Sequence, residues 1–147
     1  MSERQFAALG ATSIVLAAFF VYWPQLGFYF TDVDTFTLIS TSRFETLDEF
    51  LSMLGSPMMN GQLSNALFYR PFSSITWAID HMIWGVEPLG YHLTDLLLHT
   101  ATSLVFFSLM LRIAGWRGAA TETEGCAGRA RTEALVAGLL FAVHPVA

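Results

Sequence analysis

The stretch that decides the fold is Phe6–Phe30, FAALGATSIVLAAFFVYWPQLGFYF, a run of 25 residues without a charge. A helix rises about 1.5 Å per residue, so roughly 20 apolar residues cross the ~30 Å hydrocarbon core of a bilayer. The run exceeds that, and it does not end on the small residues that close a cleaved leader. It ends on Tyr22, Trp23, Phe28, Tyr29 and Phe30, of which the tyrosines and the tryptophan have amphipathic rings that favour the membrane–water boundary. This reads as a retained membrane helix, ended or kinked near Pro24, with Tyr22 and Trp23 in the aromatic belt.

Composition agrees. Of 147 residues, 54% are hydrophobic and only 13% charged, and the mean hydropathy is +0.51. Soluble domains carry about 25% charged residues. All seven basic residues are arginine and the net charge is −5, which removes the basic patch that nucleic-acid binding needs. Cys126 is the single cysteine, so the chain forms no internal disulfide and holds no CxxC metal pair.

Two further apolar segments follow, Tyr91–Leu111 and Leu135–Ala147. The second is short for a span unless its helix begins near Arg131. The expected class is an all-α membrane protein: about three transmembrane helices and one or two interfacial helices in a long outer loop. The expected layout is a first membrane helix within 1–30, a loop over 31–90, a second membrane helix over 91–112, a loop over 113–132 and a third, truncated helix over 133–147. The 31–90 loop holds seven acids against Arg43 and Arg70, whereas the 112–131 stretch holds Arg112, Arg117, Arg129 and Arg131. The positive-inside rule then puts 113–132 and the N-terminus in the cytoplasm and 31–90 outside. The expected location is a bacterial inner (plasma) membrane. The Gly/Ala/Thr content of Gly115–Arg131 reads as a flexible loop.

Inside the outer segment, Thr46-Leu-Asp-Glu49 fits a capping box, followed by Leu47, Phe50, Leu51 and Leu54 on one face of a short helix over 46–54. A second helix is expected over 71–84, opened by Pro71 and stopped by Gly85.

Four groups could carry chemistry. Asp32 and Asp34 leave the first span together, and a D-x-D pair can hold a divalent cation or supply a general base; helix-end solvation explains the same residues. Arg70, in Tyr69-Arg70-Pro71, can pair with a phosphate or snorkel to headgroups. His92, Asp95 and His99 lie at spacings of three and four on one helical face, where they could bind metal, relay protons or form a hydrogen-bonded seam; the seam is favoured, because the spacing matches no strong metal signature. Asp80-His81 is a weaker pair, and His144-Pro145 reads as a turn. The sequence names no metal.

Taken in order, Tyr69-Arg70-Pro71-Phe72-Ser73-Ser74, Trp84-Gly85, Pro88-Leu89-Gly90-Tyr91-His92-Leu93-Thr94-Asp95-Leu96-Leu97-Leu98-His99 and Leu139-Leu140-Phe141-Ala142-Val143-His144-Pro145-Val146 resemble the N-terminal part of a GT-C membrane glycosyltransferase. The resemblance is to the transmembrane and tetratricopeptide-repeat O-mannosyltransferase-like proteins and their bacterial counterparts. It implies a polyprenyl-phosphate sugar as donor, transfer on the non-cytoplasmic side, and a catalytic aspartate in the first outer loop, the place that Asp32 and Asp34 occupy. Valine separates the two acids here, which leaves open which one would act. Such enzymes have many more membrane helices, so the chain is expected to need the remainder of the fold, or other membrane subunits, besides its lipids. The alternative expectation is a non-catalytic accessory subunit of a larger inner-membrane complex, such as an energy-converting one; a metal or proton transporter on His92, Asp95 and His99 is a more distant third.

Overall fold

The computed structural model describes residues 2–30, 35–57, 68–121 and 124–144. Among them the secondary structure is helical throughout: α1 (Glu3–Tyr22), a 3₁₀ turn (Trp23–Gly27), α2 (Thr35–Thr41), α3 (Leu47–Gly55), α4 (Pro71–Trp84), α5 (Pro88–Thr121) and α6 (Glu124–Val143). Among the described residues two stretches are long and apolar enough to cross a bilayer, Glu3–Gly27 and Pro88–Trp116. The chain divides into two compact units, residues 1–24 with 95–147, and residues 25–94.

The first unit is built from α1, the larger part of α5, and α6. Ser2 starts α1 with a reciprocal cap: its hydroxyl accepts from the Gln5 amide and the Gln5 side chain accepts from the Ser2 amide. Ile14, Phe107 and Ala142 form the core, with Phe6, Leu104, Leu111, Leu135 and Leu139 packed against them. Two glycines make room for it. A Cβ at Gly10 would lie 2.6 Å from Phe107 Cζ, and one at Gly138 would lie 2.9 Å from Ile14 Cδ1 and 3.2 Å from Phe107 Cβ. Small residues are how membrane helices approach closely, since lipid tails supply no hydrophobic drive between them. The contacts also fix direction. Glu3 meets Arg131, Gly10 meets Leu135 and Tyr22 meets His144, so α1 and α6 run parallel. Phe107 meets Gly10 while His99 meets Tyr22, so α5 runs opposite to both.

Residues 115–131, expected to be a flexible loop, are helical from Gly115 to Thr121 and again from Glu124. The glycines here cost about 1 kcal/mol each against alanine in a helix, but they alternate with Ala, Arg and Glu, which favour it. α6 therefore begins well before the expected third span. It carries Arg129, Arg131 and Glu133 on helical turns, and Glu133 pairs with Arg129 four residues away at 3.4 Å.

The second unit is made of shorter pieces. Thr46 caps α3 as the box requires, accepting from Glu49 N, while the Glu49 carboxylate accepts from the amides of Thr46 and Glu45. α2 and α3 each pack on α4. The buried set includes Ile39, Met53, Ala78 and Tyr91, and with them Thr35, Ser42, Ser74 and Asp80. Phe30 is the hub of an aromatic cluster, with its ring centroid 5.7 Å from Phe36 and 5.4 Å from Tyr91 in edge-on geometry.

Candidate functional site

The α4–α5 corner brings Asp80, His81, Tyr91 and Thr94 into hydrogen bonds. α4 ends at Gly85, whose φ of +65° is a conformation that suits glycine. The Gly85 carbonyl is shared: Tyr91 Oη donates to it at 2.7 Å and His81 Nδ1 lies 2.8 Å from it. A carbonyl only accepts, so His81 carries its proton on Nδ1. Trp84 folds over Gly90, where an added Cβ would meet the indole at 2.1 Å. The Trp84-Gly85 and Gly90-Tyr91 pairs of the sequence are therefore the two faces of one tight corner.

Asp80 lies beneath this corner at 5% exposure, and Thr94 Oγ1 donates to its Oδ1 at 2.5 Å. Burial pushes the carboxyl above its ordinary 3.8, and the threonine hydrogen bond offsets part of that. Tyr91 stands within electrostatic reach of both Asp80 and Arg43. The neighbouring His92 ring rests 6.2 Å from Phe30, and its Nε2 is buried without a hydrogen-bond partner among the described residues.

The helical face His92–Asp95–His99 is divided between the units: His92 belongs to residues 25–94, and Asp95 and His99 to the other unit. Asp95 is exposed. His99 is a seam residue. Its Nε2 lies 3.0 Å from the Ala142 carbonyl, which makes that nitrogen the N–H, and its ring stacks on Phe141 and meets the edge of Tyr22. Tyr22, expected in an aromatic belt, donates its hydroxyl to the His144 carbonyl at 2.6 Å. His99 and Tyr22 together hold the ends of α1 and α6 to α5. Sequence reasoning had no signal for these pairings, because their partners are distant in the chain.

Arg70 is exposed at the start of α4, with its guanidinium 5.4 Å from the Phe68 ring centre and no ion pair among the described residues. Asp32 and Asp34 lie outside the described residues. Among the described residues, no three His, Cys, Asp or Glu side chains converge as a metal-binding group would.

The described residues are helical throughout and include two bilayer-length apolar helices, which defines the class of helical membrane proteins. Comparison with known proteins narrows this. The chain is homologous to protein O-mannosyl-transferases of the Tmtc series over most of its length. It is 33% identical over 131 residues to Protein O-mannosyl-transferase Tmtc3 of Drosophila melanogaster, covering 83% of this chain and 14% of the relative. It is 27% identical over 152 residues to Protein O-mannosyl-transferase TMTC3 of Mus musculus, covering 99% of this chain and 14% of the relative. To Protein O-mannosyl-transferase tmtc2 of Xenopus laevis it is 33% identical over 78 residues, covering 53% of this chain and 8% of the relative. The chain thus spans a small part of the length of the curated relatives it matches. No family model and no solved structure matches it.

Proposed function

We propose that this chain forms the N-terminal membrane region of a GT-C-type glycosyltransferase that uses a polyprenyl-phosphate sugar. The observation that carries the reading is the similarity to protein O-mannosyl-transferases across 83% of the chain. The physical arrangement is compatible with it: a bilayer-length helix leads directly to Asp32 and Asp34.

In this reading one of the two aspartates takes the proton of an acceptor hydroxyl. The hydroxyl oxygen then attacks the anomeric carbon of the sugar, the bond from that carbon to the phosphate oxygen breaks, and the polyprenyl phosphate leaves with the bonding electrons. Arg70, exposed at the head of α4, is the cation assigned to the leaving phosphate. If a divalent cation takes part, the two carboxylates are its ligands from this chain. The arginine distribution supports a plasma-membrane topology with the N-terminus cytoplasmic and 31–90 on the outer side.

The test is transfer of radiolabelled sugar from a polyprenyl-phosphate donor in membranes carrying the complete gene product. Asp32→Asn or Asp34→Asn is expected to cut turnover about 10²-fold or more, the scale of a lost general base, at unchanged protein level. Full activity in the double variant would overturn the assignment.

A further inference from the structure

At the N-terminal end of α1 the first unit opens a cleft of about 290 Å³, lined by Glu3, Arg4, Phe6, Ala7, Leu111, Gly115 and Arg131. We infer that this cleft binds the phosphate headgroup of an anionic phospholipid, with the upper acyl chain against its apolar wall. The occupant follows from three features.

The first is charge. Arg131 is ion-paired with Glu3, and Arg4 is exposed without an ion pair among the described residues. The pair cancels itself and Arg4 leaves the cleft with one net positive charge. The amino end of α1 adds the positive pole of its helix dipole. The second is depth. Arg4 opens a helix whose following turns are apolar as far as Tyr22, and α5 reaches the same end after its own apolar span. That is the level at which headgroups stand. The third is the mixture of walls. Phe6, Ala7 and Leu111 line the cleft together with Arg4 and Arg131, which suits a molecule with a charged head on an apolar tail. Basic pockets between membrane helices are recognised receptors for such headgroups, and each arginine near the surface contributes about a fivefold gain in affinity. Gly115 forms an open wall, since a Cβ added there meets nothing within 4 Å.

The experiment uses the full chain purified in detergent and mixed with equal amounts of phosphatidylglycerol and phosphatidylcholine, with bound lipid read by native mass spectrometry. The wild type is expected to retain phosphatidylglycerol about fivefold over phosphatidylcholine. Arg4→Gln removes the unpaired cation and Gly115→Phe fills the cleft without touching its charge; both are expected to abolish the preference. Glu3→Gln is expected to strengthen it. Arg129→Gln, at a side chain 85% exposed and outside the cleft, is expected to keep it. Circular dichroism identifies any variant that fails to fold, and Gly115→Phe and Glu3→Gln keep the test decisive if Arg4→Gln does. Equal retention of the two lipids by the wild type overturns the inference, as does a preference that survives in folded Arg4→Gln or Gly115→Phe. Displacement of the lipid by glycerol 3-phosphate would assign the cleft to a free phosphate compound instead and also overturn it.

Discussion

The two compact units reach stability by different means. In residues 1–24 with 95–147, long helices close on apolar atoms, and space is the limiting quantity: Gly10 and Gly138 are small because Phe107 and Ile14 occupy the volume that side chains there would need. In residues 25–94, helices of 7, 9 and 14 residues are too short to stand alone, and hydrogen-bond satisfaction is limiting: a capping box starts α3, one carbonyl closes the α4–α5 corner, and a buried carboxyl is held by one threonine. Volume changes should therefore damage the first unit most and polar changes the second.

The largest expected effect is Phe107→Ala, a loss of about 3–5 kcal/mol as its packed ring is removed from the core. Thermal unfolding in detergent, followed by circular dichroism, measures it. Gly138→Leu comes next, at about 1–3 kcal/mol from overpacking against Ile14 and Phe107, whereas Gly115→Ala, which meets open space inside a helix, should raise the midpoint slightly, by up to the ~1 kcal/mol that glycine costs there. If the two glycine variants behave alike, close approach is not what holds the first unit.

Asp80→Asn tests the second unit through pH. The folded carboxyl titrates above 3.8, so the native state binds more protons than the unfolded chain from that value up to the raised one. Stability then falls as pH rises through this window, and the penalty is full above it. The wild type should lose stability on going from acid to neutral pH, and the asparagine variant should lose less. A wild-type profile that rises across the same window contradicts the assignment of Asp80 as a desolvated carboxyl. The smallest expected change is Thr46→Ala, about 1 kcal/mol from the lost α3 cap, seen as faster amide exchange at Leu47–Phe50.

Local rules made part of this legible in advance. The charge-free run from Phe6 forecast α1, and Thr46 with Glu49 forecast α3, because both signals lie within a few residues of what they determine. α2 was missed: its TFTLIST sequence is short and rich in β-branched residues, and it is held by packing on α4. The helices through 115–131 were missed because glycine content was weighed above the alanine and arginine between. The seam was legible as a face and illegible as a structure: His99 carries its proton on Nε2 because of Ala142, and Tyr22 points to His144, 122 residues away. Asp80 and Thr94 are similarly joined across the corner that Gly85 makes. The sequence placed the acids Asp32 and Asp34, which lie outside the described residues, so their part in a site rests on resemblance and on the tests above.

The parallel pairing of α1 and α6 also has a consequence in time. The groove on α1 that ends in the Tyr22–His144 hydrogen bond is closed by residues made 122 positions later. At roughly 5–20 residues per second, a ribosome needs about 6–24 s to supply them. α5 brings Phe107 to Gly10 and Ile14 first, and until α6 follows the rest of this face of α1 stands unfinished, open to any early neighbour. Chaperoned insertion, or slow release from the translocation machinery, would be most consequential for this protein during that interval.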